Sequence, residues 1–139
     1  MTRLKLQLTL IALLAAAAPA RAADLTIAID GVQNASGSIM VALYNSADTF
    51  QGKPFRVVTA PAKAGTMQVQ VRELPAGEYA FALYHDANAN GTLDRNLVGM
   101  PVEDYAFSNN ALGKRGAPAY EAARFQLPAA GTIASVSLR

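Results

Sequence analysis

The sequence predicts an all-β protein: a single Greek-key β-sandwich of about seven short strands, interrupted by one long loop rich in Gly, Pro and Asn. Three features carry this. Apolar residues recur with a period of two in one segment after another, the mark of a strand with one buried face. Turn residues punctuate those segments at short intervals. Only "PAYEAARF" suggests helix, and no more than one turn of it.

The first residues are expected to be a leader. "MTRLK" is a basic start, "LQLTLIALLAAAA" is an apolar run too short to span a bilayer comfortably, and Pro19 precedes an Ala20-Arg21-Ala22 cleavage site. This is the pattern of a secretory signal peptide over residues 1–22, leaving 23–139 as one β-sandwich domain. Loss of Arg3, Lys5 and Arg21 leaves nine basic against ten acidic residues, so the precursor's +2 becomes −1. A chain of that charge, with no basic cluster longer than Lys114-Arg115, is not expected to bind nucleic acid. There is no Cys, so neither a disulfide nor a lipid-bearing Cys holds or anchors the domain. The mature chain has no apolar stretch near the ~18 residues of a membrane span. The expectation is a periplasmic or secreted monomer with an envelope or extracellular partner.

Strand by strand, "LTIAID" sets Leu25, Ile27 and Ile29 against Thr26, Ala28 and Asp30. "SIMVALYN" sets Ile39, Val41 and Leu43 against Met40, Ala42 and Tyr44. The turn "GVQNASG" between them suggests a hairpin. "TMQVQVREL" repeats the alternation through Met67, Val69 and Val71, and "EYAFALYH" places Tyr79, Phe81, Leu83 and His85 on one face. "ARFQL" and "TIASVSLR" give two later strands. Between residues 97 and 123 no period holds. A long irregular segment in a compact domain is commonly functional, and Tyr105, Phe107 and Tyr120 argue that this one is packed.

The chemistry concentrates in "YHDANANGTLDRN". "DANANG" fits D-x-[DN]-x-[DN]-G, in which alternate side chains of a tight loop point at one cation. Asp86, Asn88 and Asn90 offer side-chain oxygens, Thr92 a backbone carbonyl, and Asp94 the ninth position. Oxygen ligands without Cys or paired His favour Ca²⁺. The twelfth position, which needs a bidentate Glu, is Leu97; Glu103 or Asp104 would have to fold back to replace it. Any Ca²⁺ affinity should be weak, with Kd ~10⁻⁴–10⁻³ M. Asp and Asn also bond to neighbouring backbone N–H groups in metal-free turns, and the residues alone leave both readings open.

The same region resembles an exported bacterial family, domain of unknown function 2141. The match rests on His85-Asp86, Asn88, Asn90-Gly91, Leu93-Asp94, Gly99, Pro101, Glu103, Tyr105 and Phe107-Ser108-Asn109-Asn110, with "GAPAYEAARF" similar to a later segment of the family. "LPAGEYAFALYHD" resembles the Leu-Pro-x-Gly-x-Tyr strand entry of transthyretin-like sandwiches. The resemblance implies a transthyretin- or immunoglobulin-like sandwich and an exported location, and it brings no activity with it.

Enzyme chemistry has little to stand on. His85 is the sole histidine, and beside Asp86, with Glu103 and Ser108, it is the only candidate general base of a small hydrolase. A non-catalytic role is favoured. The alternative is a carbohydrate- or peptide-binding module using His85, Tyr105, Phe107, Asn109, Asn110 and Tyr120.

Overall fold

The structure is a computed structural model that describes residues 21–139. The leader expected over 1–22 therefore lies, apart from Arg21 and Ala22, outside the described residues.

Among the described residues eight strands form two sheets: β1 (Ala22–Val32), β2 (Ser38–Tyr44), β3 (Arg56–Pro61), β4 (Gly65–Pro75), β5 (Gly77–Asp86), β6 (Tyr105–Phe107), β7 (Phe125–Leu127) and β8 (Thr132–Ser137). One sheet runs β4-β1-β8, with β1 and β8 parallel. The other runs β3-β2-β5-β6, with β7 also on β5. The only α-helix of the described residues is the single turn α1 (Tyr120–Ala123), as "PAYEAARF" suggests.

The alternating positions meet between the sheets. Leu25, Ile27, Ile29, Val69 and Val71 from one sheet pack with Ile39, Val41, Leu43, Phe81 and Leu83 from the other in one cluster. A fully buried Leu, Ile or Phe contributes ~1.5–3 kcal/mol, and this interface is what holds the two layers. The β1–β2 hairpin suggested by "GVQNASG" does not form: β1 pairs with β4 and β8, and β2 with β3 and β5. Both strands need partners on two sides, and the turn between them is a corner joining the layers. Two strands go beyond the periodic segments, β3 at a sheet edge and β6 inside the long irregular segment.

The two outer faces differ. The β4-β1-β8 sheet turns Gln68, Gln70, Arg72, Ser135 and Ser137 outward, all exposed. The five-stranded sheet carries Thr59–Met40–Tyr84–Tyr105 and Val57–Ala42–Ala82–Phe107 as two cross-strand rows on its outer face. It is apolar on both sides. The chain from 87 to 123 covers part of that second apolar face. Ala80, Phe107, Ala111, Tyr120 and Ala123 form a separate small core there, with Phe50 packed against it. Phe50 meets Phe107 and Tyr120 edge-on at centroid distances of 6.3 and 5.6 Å.

Candidate functional site

The "DANANG" loop is a closed network. Asp86 ends β5 on its outer face, 3% exposed. Its Oδ1 accepts the Asn90 N–H at 3.1 Å and its Oδ2 the Gly91 N–H at 2.8 Å. Asn88 and Asn90 each direct Nδ2 onto the Asp94 carboxylate, at 2.5 and 2.7 Å. Asn90 Oδ1 takes the Thr92 N–H at 3.1 Å. Glu103 does fold back: its Oε2 accepts the Asp94 N–H at 3.1 Å. Asp86, Asn88, Asn90, Thr92, Asp94 and Glu103 are thus brought together. Among the described residues no three His, Asp or Glu side chains converge as ligands of one ion.

This network is the base of a projecting hairpin. Val102 N–H reaches Asp94 O at 2.9 Å, and Arg95 bridges to Pro101. At the tip, Asn96 Oδ1 accepts the N–H groups of Val98 and Met100, and Arg95 donates to Gly99 O. A side-chain acceptor that serves two nearby N–H groups fixes a turn with no help from the core.

The second polar motif is a knot of the same kind. Ser108 is fully buried. Its hydroxyl accepts the Phe81 N–H at 2.9 Å and donates to Ala123 O at 2.6 Å. Along β5, β7 takes Gly77–Tyr79, Ser108 takes Phe81, and β6 takes Ala82–Tyr84. Asn109, at φ 61°, donates to Ala122 O and Arg124 O. Asn110 accepts the Ser137 N–H on β8. Phe107 and Tyr120 lie in the small core, and Tyr105 packs against it. The Tyr120 hydroxyl is buried without a hydrogen-bond partner among the described residues; burial first, and the nearby Glu78 carboxylate second, raise its pKa.

His85 sits on the inner face, opposite Ile39 and 3% exposed. Its Nε2 lies 2.7 Å from Ser36 O, and its backbone N–H donates to Asp104 O. It fastens the β1–β2 corner to the end of β5 and faces away from the outer surface of the sheet.

On that outer surface lies a groove of about 940 Å³. Its floor is Met40, Ala42, Ala82 and Tyr84, where two small alanines side by side leave a hollow between larger neighbours. One wall is the hairpin, through Leu93, Arg95, Val98 and Met100; residues 113–117, with Lys114 and Arg115, supply further lining. Among the described residues three cations line the groove and no Asp or Glu does. Tyr84 has a raised pKa, first through burial and then through the carboxylates of Asp86, Glu103 and Asp94, so the acidic network lies near the Tyr84 side. None of these four floor residues was among the expected site residues, but Tyr105 and Phe107, which were, also line the groove. The signal was there in β2 and β5: a strand apolar on both faces is covered on both faces.

The fold and site define a two-layer β-sandwich with a part-roofed apolar groove on one outer face. Residues 27–134 match the family described as "uncharacterized protein conserved in bacteria" (DUF2141), and the chain belongs to it. No curated protein and no solved structure matches the chain.

Proposed function

We propose that this chain is an exported, non-catalytic binding domain that holds a small amphipathic molecule, with an apolar body and an anionic group, in the groove over the five-stranded sheet. The observation that carries the reading is the lining: an apolar floor, with Arg95, Lys114 and Arg115 among the other lining residues and, among the described residues, no Asp or Glu. Ligand sites are concave and mostly apolar with a few charged groups that fix orientation. The groove's size lies within the ~300–1,000 Å³ of such sites. The polar motifs serve the groove indirectly: the Asp86–Asp94 network roots the hairpin wall, and the Ser108–Asn110 knot fixes the stretch that leads to residues 113–117.

The test is a series of three ligands with one alkyl chain and different heads: a carboxylate, an alcohol and a trimethylammonium. The carboxylate should bind tightest and the ammonium weakest. Ala82→Phe should fill the hollow and abolish binding of all three, with circular dichroism checking that the variant is folded. Equal affinities across the series, or an unaffected Ala82→Phe, would refute the reading. Export itself is checked by intact mass: protein taken from the cell envelope should begin at Ala23.

A Ca²⁺ ion at the Asp86–Asp94 loop is the second reading. It is supported by the way Asn88 and Asn90 both close on Asp94. A half-turn of either amide about Cβ–Cγ would present oxygen in place of nitrogen beside that carboxylate, an arrangement that needs a cation between them.

A further inference from the structure

The hairpin that walls the groove leaves four apolar side chains open to solvent, two of which, Val98 and Met100, also line the groove. Leu97 is 107% exposed and Val98 81%; Met100 and Val102 are also exposed. Surface hydrophobics are ordinarily scattered singly, whereas these four stand within six residues. They are not on a slack loop. Asn96 accepts from Val98 and Met100, the Gly99 N–H returns to Asn96 O, and the Asn96 N–H reaches Met100 O. The turn is built, and it holds Leu97 and Val98 outward.

We propose that this tip docks the domain reversibly on an anionic lipid surface. Charge complementarity selects that occupant. Arg95 lies within the hairpin and bonds Gly99 O at its tip, and Lys114 and Arg115 share the groove lining with Val98 and Met100. The carboxylates of the hairpin, Asp94 and Glu103, are held at its base by Asn88, Asn90 and the Asp94 N–H. Shape points the same way. A protein interface centres on aromatic and Arg anchors in packed pockets. A projecting turn tipped by Leu and Val needs no complementary pocket in a headgroup and acyl boundary. Basic residues beside an inserting apolar element are the usual pairing at anionic membranes. No helix of the described residues is long and apolar enough to cross a membrane; docking by this tip is contact with one leaflet. The inference stands on the tip and does not require the groove to be occupied. If both hold, the docked wall of the groove would face the lipid.

The experiment is co-sedimentation of the mature protein with phosphatidylcholine vesicles, and with vesicles in which roughly a third of the lipid is phosphatidylglycerol. The anionic vesicles should bind it more tightly, by about five-fold for each cation that reaches the surface, and added salt should erase the difference. Leu97→Ser with Val98→Ser should lower binding roughly 10- to 100-fold, as expected from half-burying two aliphatic side chains. Both residues are exposed, so the melting temperature should not change. Lys114→Gln with Arg115→Gln should remove the preference for anionic vesicles. Equal binding to neutral and anionic vesicles, or full binding by the Leu97/Val98 variant, overturns the proposal. So does a concentration-dependent dimer that this variant abolishes, which would assign the tip to a second copy of the chain. The alkyl-ligand series of the preceding section, run without vesicles, reads the groove alone, so failure of one reading is separable from failure of the other.

Discussion

Asp86→Ala is the most informative single change. The carboxylate is 3% exposed and accepts two backbone N–H groups, from Asn90 and Gly91. Hydrogen bonds to a charged group contribute ~1.5–3 kcal/mol each. Asn90 and Gly91 are themselves exposed, so water can reach their N–H groups once the acceptor is gone, and the net loss should be nearer ~2–3 kcal/mol than the sum of two full bonds. At ~3–5 °C per kcal/mol for a domain of this size, the melting temperature should fall by ~6–15 °C. The assay is thermal unfolding followed by circular dichroism, in chelator and in millimolar Ca²⁺. On the turn reading, the wild type gives one melting temperature in both buffers and Asp86→Ala is equally damaging in both. On the Ca²⁺ reading, the wild type gains RT ln(1 + [Ca]/Kd), about 1.4 kcal/mol at ~10 Kd, and Asp86→Asn loses that gain. A neutral Asp86→Ala in chelator would refute the reasoning from hydrogen bonds altogether.

Three further outcomes are expected. Gly37→Ala should prevent folding or nearly so: φ is +66°, and the added Cβ would lie 1.9 Å from Asp86 O, main chain that cannot step aside; soluble yield and circular dichroism report it. Ser108→Ala should cost ~2–5 kcal/mol by chemical denaturation, because the Phe81 N–H and Ala123 O are left buried without partners. Tyr44, Tyr79, Tyr84 and Tyr120 all have pKa values raised above 10.0, chiefly by burial. The folded state therefore keeps these protons when the unfolded chain has begun to lose them, and stability should decline as pH rises beyond about 10; denaturation midpoints through that range check the sign.

The inner faces of the sandwich were the legible part of the sequence. Period-two alternation identifies Leu25, Ile27, Ile29, Ile39, Val41, Leu43, Val69, Val71, Phe81 and Leu83, and all ten lie in the main core. Partnering was not legible, because the same alternation suits a strand in either sheet; the β1–β2 hairpin failed on this. β3 escaped because Val57 and Val58 break the alternation, Pro54 precedes it and Pro61 ends it, as suits an edge strand. β6 escaped because three residues are too few to show a period. The motif "DANANG" was visible, but its two readings differ only in whether its donors and acceptors meet main chain or a cation. The motif "FSNN" was visible too. Its role in joining β5, α1 and β8 depends on contacts with residues up to 27 positions away, which no local pattern encodes.

The two polar motifs and the groove are parts of one arrangement. A five-stranded sheet with Met40, Ala42, Ala82 and Tyr84 on its outer face would expose an apolar surface of the kind that causes association. The segment from 87 to 123 covers it unevenly. At the Ala80 end the cover is dry packing, with Phe107, Tyr120 and Phe50 seated edge to edge. At the Ala82 and Tyr84 end it is an arch over open space. An arch cannot be held by the core beneath it, because there is none. It must be held at its feet, by polar bonds in place of apolar packing. Asp86, Asn88, Asn90 and Glu103 form one such foot, and Ser108, Asn109 and Asn110 fix the chain leading to the other. That is a physical reason for Asp, Asn and Ser to cluster in two short runs of a chain otherwise built from Ala, Val and Leu. It also makes the hollow over Ala42 and Ala82 a feature that the fold maintains: larger side chains at those two positions would close it without any change to the loops.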